Sequence, residues 1–302
     1  MVRFFVVVSC LLLAVSLLGC SEKIENSYFY YGPGWTRLNK VAFITGLQSV
    51  RKDAIGTQLG STYTETLTTM EADGTGASVL FDVTGAPPYH ISSSPTTDYI
   101  AYLDGLRGGL FAKVVIRNIA AGAHTGADAI ELAFNPGIVS FDWSNNALKI
   151  VYVTTTEVHT VNLDGTGDTA VETGLTDVSF VTWKYGTKVA FVHVSGGNSI
   201  LSLKNGDGTG ARTDLAVAAS VNKPQISSAN TNLIYGIAGG ALCSVDISAG
   251  TPATTEVLGS FAGELPRLSP DATKVVYSKA SEDTGVYLID LTAATKAETK
   301  IK

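Results

Sequence analysis

Six short segments of the chain share one pattern of apolar positions, and each carries an aromatic residue at the same place. They are KVAFI at 40–44, YIAYL at 99–103, KIVYV at 149–153, KVAFV at 188–192, NLIYG at 232–236 and KVVYS at 274–278. Their aromatics, at positions 43, 102, 152, 191, 235 and 277, follow one another at spacings of 59, 50, 39, 44 and 42 residues. A repeat near 40–45 residues that holds several short strands is typical of a β-propeller with one blade per repeat. The pattern therefore predicts six blades.

Each repeat is predicted to supply four antiparallel strands. In the third repeat the first strand begins at FDWSNN (141–146), the aromatic segment is the second, EVHTVNLDG (157–165) is the third and DTAVETG (168–174) is the fourth. Alternating and β-branched residues bounded by Gly, Asn, Asp and Ser favour strands over helices. No sustained helical period follows residue 24, so the predicted fold class is all-β.

The N-terminus has the pattern of an export signal. A short positive start with Arg3 precedes an apolar run at 4–18, and Leu17-Leu18-Gly19-Cys20 resembles a bacterial lipobox. An uncleaved membrane span needs about twenty apolar residues and is the weaker alternative, as is an ordinary signal peptide. We expect a signal peptide at 1–19 and a lipid on Cys20. Ser21 favours the outer membrane by resemblance to bacterial lipoproteins.

Two further expectations concern the mature chain. Residues 20–35 are expected to be a lipid-anchored tether and 36–302 the propeller, with the aromatic-rich segment 27–35 either closing the ring or filling the tunnel mouth. Removing 1–19 leaves 20 basic and 27 acidic residues, a formal net charge of −7. With no basic run, this charge argues against nucleic acid as a partner. Of the cysteines after residue 19, Cys20 is lipidated and Cys243 is expected in the core, so no internal disulfide is expected.

The last repeat carries a family resemblance. Leu268-Ser269-Pro270-Asp271 precedes KVVY (274–277) and VYLID (286–290), and weaker copies lie at 143–146 and 92–95. This order is similar to the W-S-P-D-G, K-I-A-F and I-Y-V-M-D repeat of TolB-type propellers, over about 36–302. We expect no counterpart of the extra N-terminal α/β domain of TolB in this sequence, and no Gly-His and Trp-Asp pairs mark WD40 blades. The resemblance implies an envelope protein that binds a protein or peptide, although some related propellers are lyases.

Three connections between second and third strands are predicted to be expanded loops, at 45–62, 104–111 and, more modestly, 278–285. Blades 6, 1 and 2 are neighbours in a closed ring, so these loops are expected to form one raised patch. Long loops on a rigid scaffold are where binding residues concentrate. The favoured binding residues are Arg51, Lys52, Asp53 and Arg107, whose alternative role is that of solvated loop tips. His90, near the start of an inner strand, is a further candidate facing the tunnel.

The sequence offers little catalytic chemistry. It contains no G-x-S-x-G, no H-E-x-x-H and no metal-binding Cys pair, so we predict no catalytic residue, metal or cofactor. Asp-Gly-Thr-Gly at 73–76, 164–167 and 207–210 is interpreted as type I′ hairpin turns rather than calcium ligands. Trp143 and Trp183 are predicted to pack between blades. The leading hypothesis is a monomeric, non-enzymatic, lipid-anchored envelope protein that binds a protein or peptide. The alternative is an exported lyase- or hydrolase-like enzyme, or a carbohydrate-binding protein, acting at the tunnel.

Overall fold

A computed structural model describes residues 23–53, 55–83, 90–107, 109–120, 129–183, 185–215, 221–248, 252–261, 263–279 and 285–302. These residues form 24 strands arranged as six four-stranded antiparallel sheets, each built from strands consecutive in the chain. Every described element is a strand, so this part of the chain has no apolar helix of membrane-spanning length.

The strands of the six blades have the following bounds. Blade 1 is β1 (Lys23–Trp35), β2 (Val41–Lys52), β3 (Gln58–Met70) and β4 (Ser78–Val83); blade 2 is β5 (Ile91–Ser93), β6 (Tyr99–Arg107), β7 (Leu110–Asn118) and β8 (Ile130–Ile138). Blade 3 is β9 (Ser140–Trp143), β10 (Lys149–Val153), β11 (Val158–Asn162) and β12 (Thr169–Glu172); blade 4 is β13 (Phe180–Thr182), β14 (Lys188–Ser195), β15 (Asn198–Asn205) and β16 (Thr213–Asp214). Blade 5 is β17 (Asn222–Ile226), β18 (Leu233–Ala238), β19 (Ala241–Asp246) and β20 (Ala253–Leu258); blade 6 is β21 (Glu264–Leu268), β22 (Lys274–Lys279), β23 (Gly285–Asp290) and β24 (Glu298–Lys300).

The first strands of the blades contact one another all the way round the molecule. The order is β1, β5, β9, β13, β17 and β21, and β21 contacts β1 again. The blades therefore form a closed ring with their first strands innermost, which confirms the predicted six-bladed propeller.

The expected boundary at residue 36 is wrong, because residues 23–35 are not a tether. They form β1, which pairs with β2 from Lys23 opposite Lys52 to Trp35 opposite Val41. The aromatic-rich segment thus supplies the first strand of blade 1. It contacts blade 6 through β21, β22 and β23 without joining their sheet, so packing closes the ring and no strand is shared.

The core lies between neighbouring blades, where the recurring aromatics are found. Phe43, Phe191 and Tyr277 are fully buried, Tyr102 and Tyr152 are nearly so, and Tyr235 is partly buried. Each hydrophobic cluster combines residues of adjacent blades; Ile44 of blade 1, for example, packs in one cluster with Tyr102 of blade 2. The prediction that these aromatics pack between blades is confirmed, with Tyr235 the least enclosed.

A buried serine shapes the turn between first and second strands. The Ser269 hydroxyl accepts from the backbone N–H of Lys274 at 2.9 Å and donates to Asp271 Oδ1 at 2.6 Å. Ser144 accepts from the N–H of Lys149 at 2.9 Å and donates to Asn146 Oδ1 at 2.9 Å. A serine followed two positions later by Asp or Asn recurs in these turns because the two side chains satisfy backbone groups that the tight turn leaves without strand partners.

The Asp-Gly turns differ from the predicted type I′ geometry. In the first of them only the glycines have positive φ, 86° at Gly74 and 63° at Gly76, and Asp73 does not. The carboxylate of Asp73 instead accepts from the backbone N–H and the hydroxyl of Thr75 at 2.9 and 2.7 Å. The turns at 164–167 and 207–210 repeat these bonds. The carboxylates therefore serve the turn, as predicted, although the turn type was wrong.

The long connections of repeats 1 and 2 are not loops. β2 and β3 run on through most of 45–62 and leave only a tight turn at 53–57, while β6 and β7 continue to Arg107 and Leu110. We call residues 23–30, 45–52 and 58–66 the blade 1 extension. The strands β1, β2 and β3 have 12 or 13 residues against 5 in β10 and β11, and at about 3.3 Å per residue they project roughly 25 Å further.

Candidate functional site

Five polar side chains surround the axis of the ring. Each lies on the innermost strand of its blade, at the position that directly precedes Trp143-Ser144 in blade 3 and the equivalent pair in the other blades. These side chains are Ser92, Asp142, Thr182, Gln225 and Arg267, and blade 1 has Gly34 at this position. Ser92, Thr182, Gln225 and Arg267 line one small axial cavity of about 20 Å³. A cavity of this size holds about one water-sized particle. These residues were missed in the sequence, where the signal was their common place before the recurring motif.

Asp142 connects three blades at the axis. Its Oδ1 accepts from the Ser92 hydroxyl of blade 2 at 2.7 Å, and its Oδ2 accepts from the Thr182 hydroxyl of blade 4 at 2.8 Å. The backbone N–H of Trp183 also donates to Oδ2, at 3.2 Å. These three hydrogen bonds make Asp142 a structural link between blades 2, 3 and 4.

Arg267 is a buried cation on the other side of the axis. Its residue is 7% exposed, and Nε and Nη2 are buried without a hydrogen-bond partner. Burial lowers the pKa of the guanidinium to about 10, and the charge of Asp142 opposes the shift. The side chain therefore carries two unsatisfied donors in a residue that lines the cavity.

His90, a predicted candidate, lies beside this group. The residue is 4% exposed, its ring packs against Phe141 with centroids 4.7 Å apart, and its Nε2 is buried without a partner. Burial lowers the pKa of the imidazole well below 6.5, the Arg267 charge lowers it further, and a backbone hydrogen bond with Phe141 acts in the opposite direction. The imidazole is therefore neutral at pH 7.

The predicted residues Arg51, Lys52 and Asp53 lie at the tip of the blade 1 extension. Lys52 Nζ pairs with Glu25 Oε2 at 2.6 Å, and Asp53 Oδ1 accepts from the N–H groups of Ile55 and Thr57 at 3.0 and 2.8 Å. Arg51 is exposed. Lys52 therefore links β2 to β1 through its ion pair, and Asp53 stabilises the turn at the tip.

Arg107 ends β6 at the tip of the second hairpin, and its side chain lies outside the described part of the structure. Both hairpins connect second to third strands, so the chain path puts their tips on the face opposite the Asp-Gly turns. Residues 280–284 of the third connection also lie outside the described residues.

Large exposed apolar side chains concentrate on the extension and its turn, a feature that sequence reasoning missed. Of the eight among the described residues, five are here: Ile24 (60% exposed), Tyr28 (53%), Ile55 (89%), Leu59 (51%) and Tyr63 (47%). The cross-strand register places Ile24, Tyr28 and Leu47 on one side of the sheet and Tyr63 on the other. Both sides of the extension thus offer apolar contacts.

A larger cleft of about 460 Å³ opens between blades 4 and 5. Leu203, Ile226, Ile234 and Tyr185 supply much of its wall, and Asp214 and Lys188 also line it. Burial, with smaller effects from the carboxylates Asp142 and Asp271, raises the pKa of the Tyr185 phenol. Nowhere among the described residues do three or more His, Cys, Asp or Glu side chains group as a metal site.

The predicted packing role of the tryptophans agrees with their positions. Trp143 is fully buried, and its indole Nε1 donates to the Ser92 carbonyl of the preceding blade at 2.9 Å. Trp183 packs against the cluster shared by blades 3 and 4. Cys243 is buried in the core between blades 4 and 5, as expected. Cys20 lies outside the described residues.

No family model and no curated protein matches the chain in sequence. Solved structures do match in fold. TolB from Acinetobacter baumannii superposes with a TM-score of 0.61 at 13% identity, covering 94% of this chain and 80% of that one. A chain of a nidogen/laminin complex gives 0.58 at 10% identity, covering 92% and 94%. An oligogalacturonate lyase in complex with manganese gives 0.52 at 10% identity, covering 88% and 90%. At these identities the similarity shows the fold alone, and this chain is a six-bladed β-propeller of the TolB-like fold.

Proposed function

We propose that this chain is a lipid-anchored binding protein of the bacterial envelope, without enzymatic activity, and that it binds a protein or peptide on the blade 1 extension. The observation that carries the proposal is the concentration of exposed apolar side chains on that extension. Large exposed apolar side chains concentrated in one region of a protein often mark an interaction site. Aromatic residues such as Tyr28 and Tyr63 are also enriched at protein interfaces.

The backbone of the extension suits a peptide partner. β4 pairs with β3 only between Glu65 and Thr69, so residues 58–62 at the outer edge of β3 pair with β2 alone among the described strands. An exposed strand edge can add an extended segment of a partner by main-chain hydrogen bonds. The neighbouring Leu59 would then contribute apolar contact, and Arg51 and Arg107 at the two hairpin tips would steer an acidic partner.

The proposed anchor lies close to this surface along the chain. Two residues, Ser21 and Glu22, lie between Cys20 and Lys23, where β1 begins at the tip of the extension, so the distance from Cys20 to β1 is at most about 11 Å. A lipid on Cys20 would hold the tip near the membrane surface, most simply that of the outer membrane. The partner is therefore expected to be an envelope protein with a segment accessible close to the bilayer.

The second candidate function is an exported lyase- or hydrolase-like enzyme, or a carbohydrate-binding protein, acting at the tunnel. The polar axial group with His90 favours it, and a lyase shares the fold. Asp142, however, is occupied by three donors, and the axial cavity is too small for a sugar ring. Binding at the extension therefore accounts for more of the structure.

Site-specific photocrosslinking in intact cells tests the proposal. A photoreactive residue is placed at Tyr63 or at Tyr28, and the matched control is placed at Leu148, an apolar residue 66% exposed on the face of the Asp-Gly turns. We expect a discrete adduct from position 63 or 28 and none from position 148. An adduct from position 148 alone would show that the partner binds the opposite face.

A further inference from the structure

The axial cavity contains a cation without a matching acceptor. Arg267 offers two buried nitrogens, Nε and Nη2, that have no hydrogen-bond partner, and it lines the cavity of about 20 Å³. A guanidinium removed from water without compensating hydrogen bonds is strongly unfavourable. An acceptor for these two donors is therefore expected inside the cavity.

The nearest acidic group does not supply that acceptor. Both oxygens of Asp142 are engaged by Ser92, Thr182 and the N–H of Trp183, and no ion pair joins Asp142 to Arg267 among the described residues. The carbonyl oxygen of Arg267 is likewise engaged, by the indole N–H of Trp35 at 2.9 Å. The network thus holds Arg267 in place without satisfying its side chain.

The remaining polar groups near the cavity are compatible with a negative charge. His90 has an unpartnered ring nitrogen and is neutral at pH 7, so it adds no second positive charge beside Arg267. Ser92, Thr182 and Gln225 are neutral. A second cation is excluded from the same small space by repulsion from Arg267.

We propose that the axial cavity binds one small monovalent anion, of the size of chloride, through the Nε and Nη2 donors of Arg267. The volume admits one water-sized particle, so a carboxylate or a sugar acid is too large to be enclosed there. The bound anion neutralises Arg267, the one cation among the described residues that line the cavity, and contacts the inner strands of several blades. It therefore stabilises the closed ring, independently of any partner at the blade 1 extension.

The direct test is a crystal of the unmodified protein soaked in bromide and measured at the bromine absorption edge. We expect an anomalous peak on the axis within hydrogen-bonding distance of Arg267 Nε and Nη2. A map with only a water-sized peak and no anomalous signal there would overturn the proposal, because the cavity would then hold water.

A solution test compares two variants, each of which loses the positive charge of one arginine. Thermal unfolding is followed as gluconate, which is too large for the cavity, is replaced by chloride at constant ionic strength. A specific ligand raises the midpoint, here by about 2 °C or more at saturating chloride. The rise should persist in Arg37→Gln, a surface variant, and disappear in Arg267→Gln. Equal chloride dependence in both variants would overturn the proposal; if Arg267→Gln does not fold, the bromide map decides.

Discussion

The indole Nε1 of Trp35 donates a hydrogen bond of 2.9 Å to the carbonyl oxygen of Arg267, a residue 232 positions further along the chain. Trp143 makes the same 2.9 Å contact to Ser92 of the blade before it. The first and last blades, 1 and 6, are thus joined by the same kind of indole-to-carbonyl hydrogen bond as blades 2 and 3, which follow one another in the chain. Around Trp35, Phe43 and Met70 of blade 1 pack with Val276 and Leu288 of blade 6.

The first prediction concerns this contact. Trp35→Phe leaves the buried Arg267 carbonyl without its donor and reduces packing, so the free energy of unfolding should fall by about 1–3 kcal/mol. Trp143→Phe should show a similar loss, because its geometry is the same. Urea denaturation of both variants measures this. A large loss in Trp143→Phe with none in Trp35→Phe would mean that blades 1 and 6 are not joined in this way.

The pH dependence of stability should report His90. Its pKa is depressed in the folded state, so between that value and about 6.5 the unfolded chain binds more protons. The contribution of His90 to the free energy of unfolding is therefore fully present above about pH 6.5 and is lost as the pH falls through the folded-state pKa. In His90→Gln, the difference from the parent protein should shrink as the pH is lowered below 6.5. Denaturation curves of both proteins between pH 7 and pH 5 measure this; a constant difference would contradict the assignment.

The aromatics of the second strands differ in burial, and the difference predicts unequal losses. Phe191 is fully buried, so Phe191→Ala should lower the free energy of unfolding by about 3–5 kcal/mol through lost transfer energy and a cavity. Tyr235 is only partly buried, and Tyr235→Ala should cost clearly less. Chemical denaturation ranks the two. The reverse order would be inconsistent with the packing of Phe191 between blades 3 and 4 and of Tyr235 between blades 5 and 6.

The anchor proposed at Cys20 has a simple chemical test. Cys20→Ala should abolish incorporation of labelled fatty acid and leave an unprocessed precursor in the wrong cell fraction. Cys243→Ala, which alters a core cysteine, should retain labelling. Labelling that persists in Cys20→Ala would rule out lipid attachment at this residue.

The ring could be predicted because its signal is local. Five of the six second strands bury four or five consecutive residues, one of them aromatic, so the apolar run repeats wherever a blade repeats. The blade 1 extension could not be predicted, because it lacks such a local apolar signal. Its strands contain Ser, Thr, Gln and Gly with both sides in solvent, so no apolar alternation distinguishes them from a polar loop; only the cross-strand partners of residues such as Gln48 and Tyr63 reveal a sheet.

The group of polar residues at the axis could not be predicted for a different reason. Ser92, Asp142, Thr182 and Arg267 are of different residue types and lie 40 or more positions apart, and they meet only because the inner strands converge. No spacing rule for catalytic or metal sites describes such a group. His90 was identified, since it stands one position before an inner strand, but its cationic neighbour Arg267 could not be inferred from the sequence.

Each sheet is made of four strands consecutive in the chain, so the first and last strands belong to different blades and no sheet is divided between the two ends of the chain. The starting point of the polypeptide is thus arbitrary with respect to the ring. Circular permutants that begin at any other boundary between blades would keep all six sheets whole. The same modularity would let one blade diverge, as blade 1 has with its long hairpin, while the other five preserve the architecture.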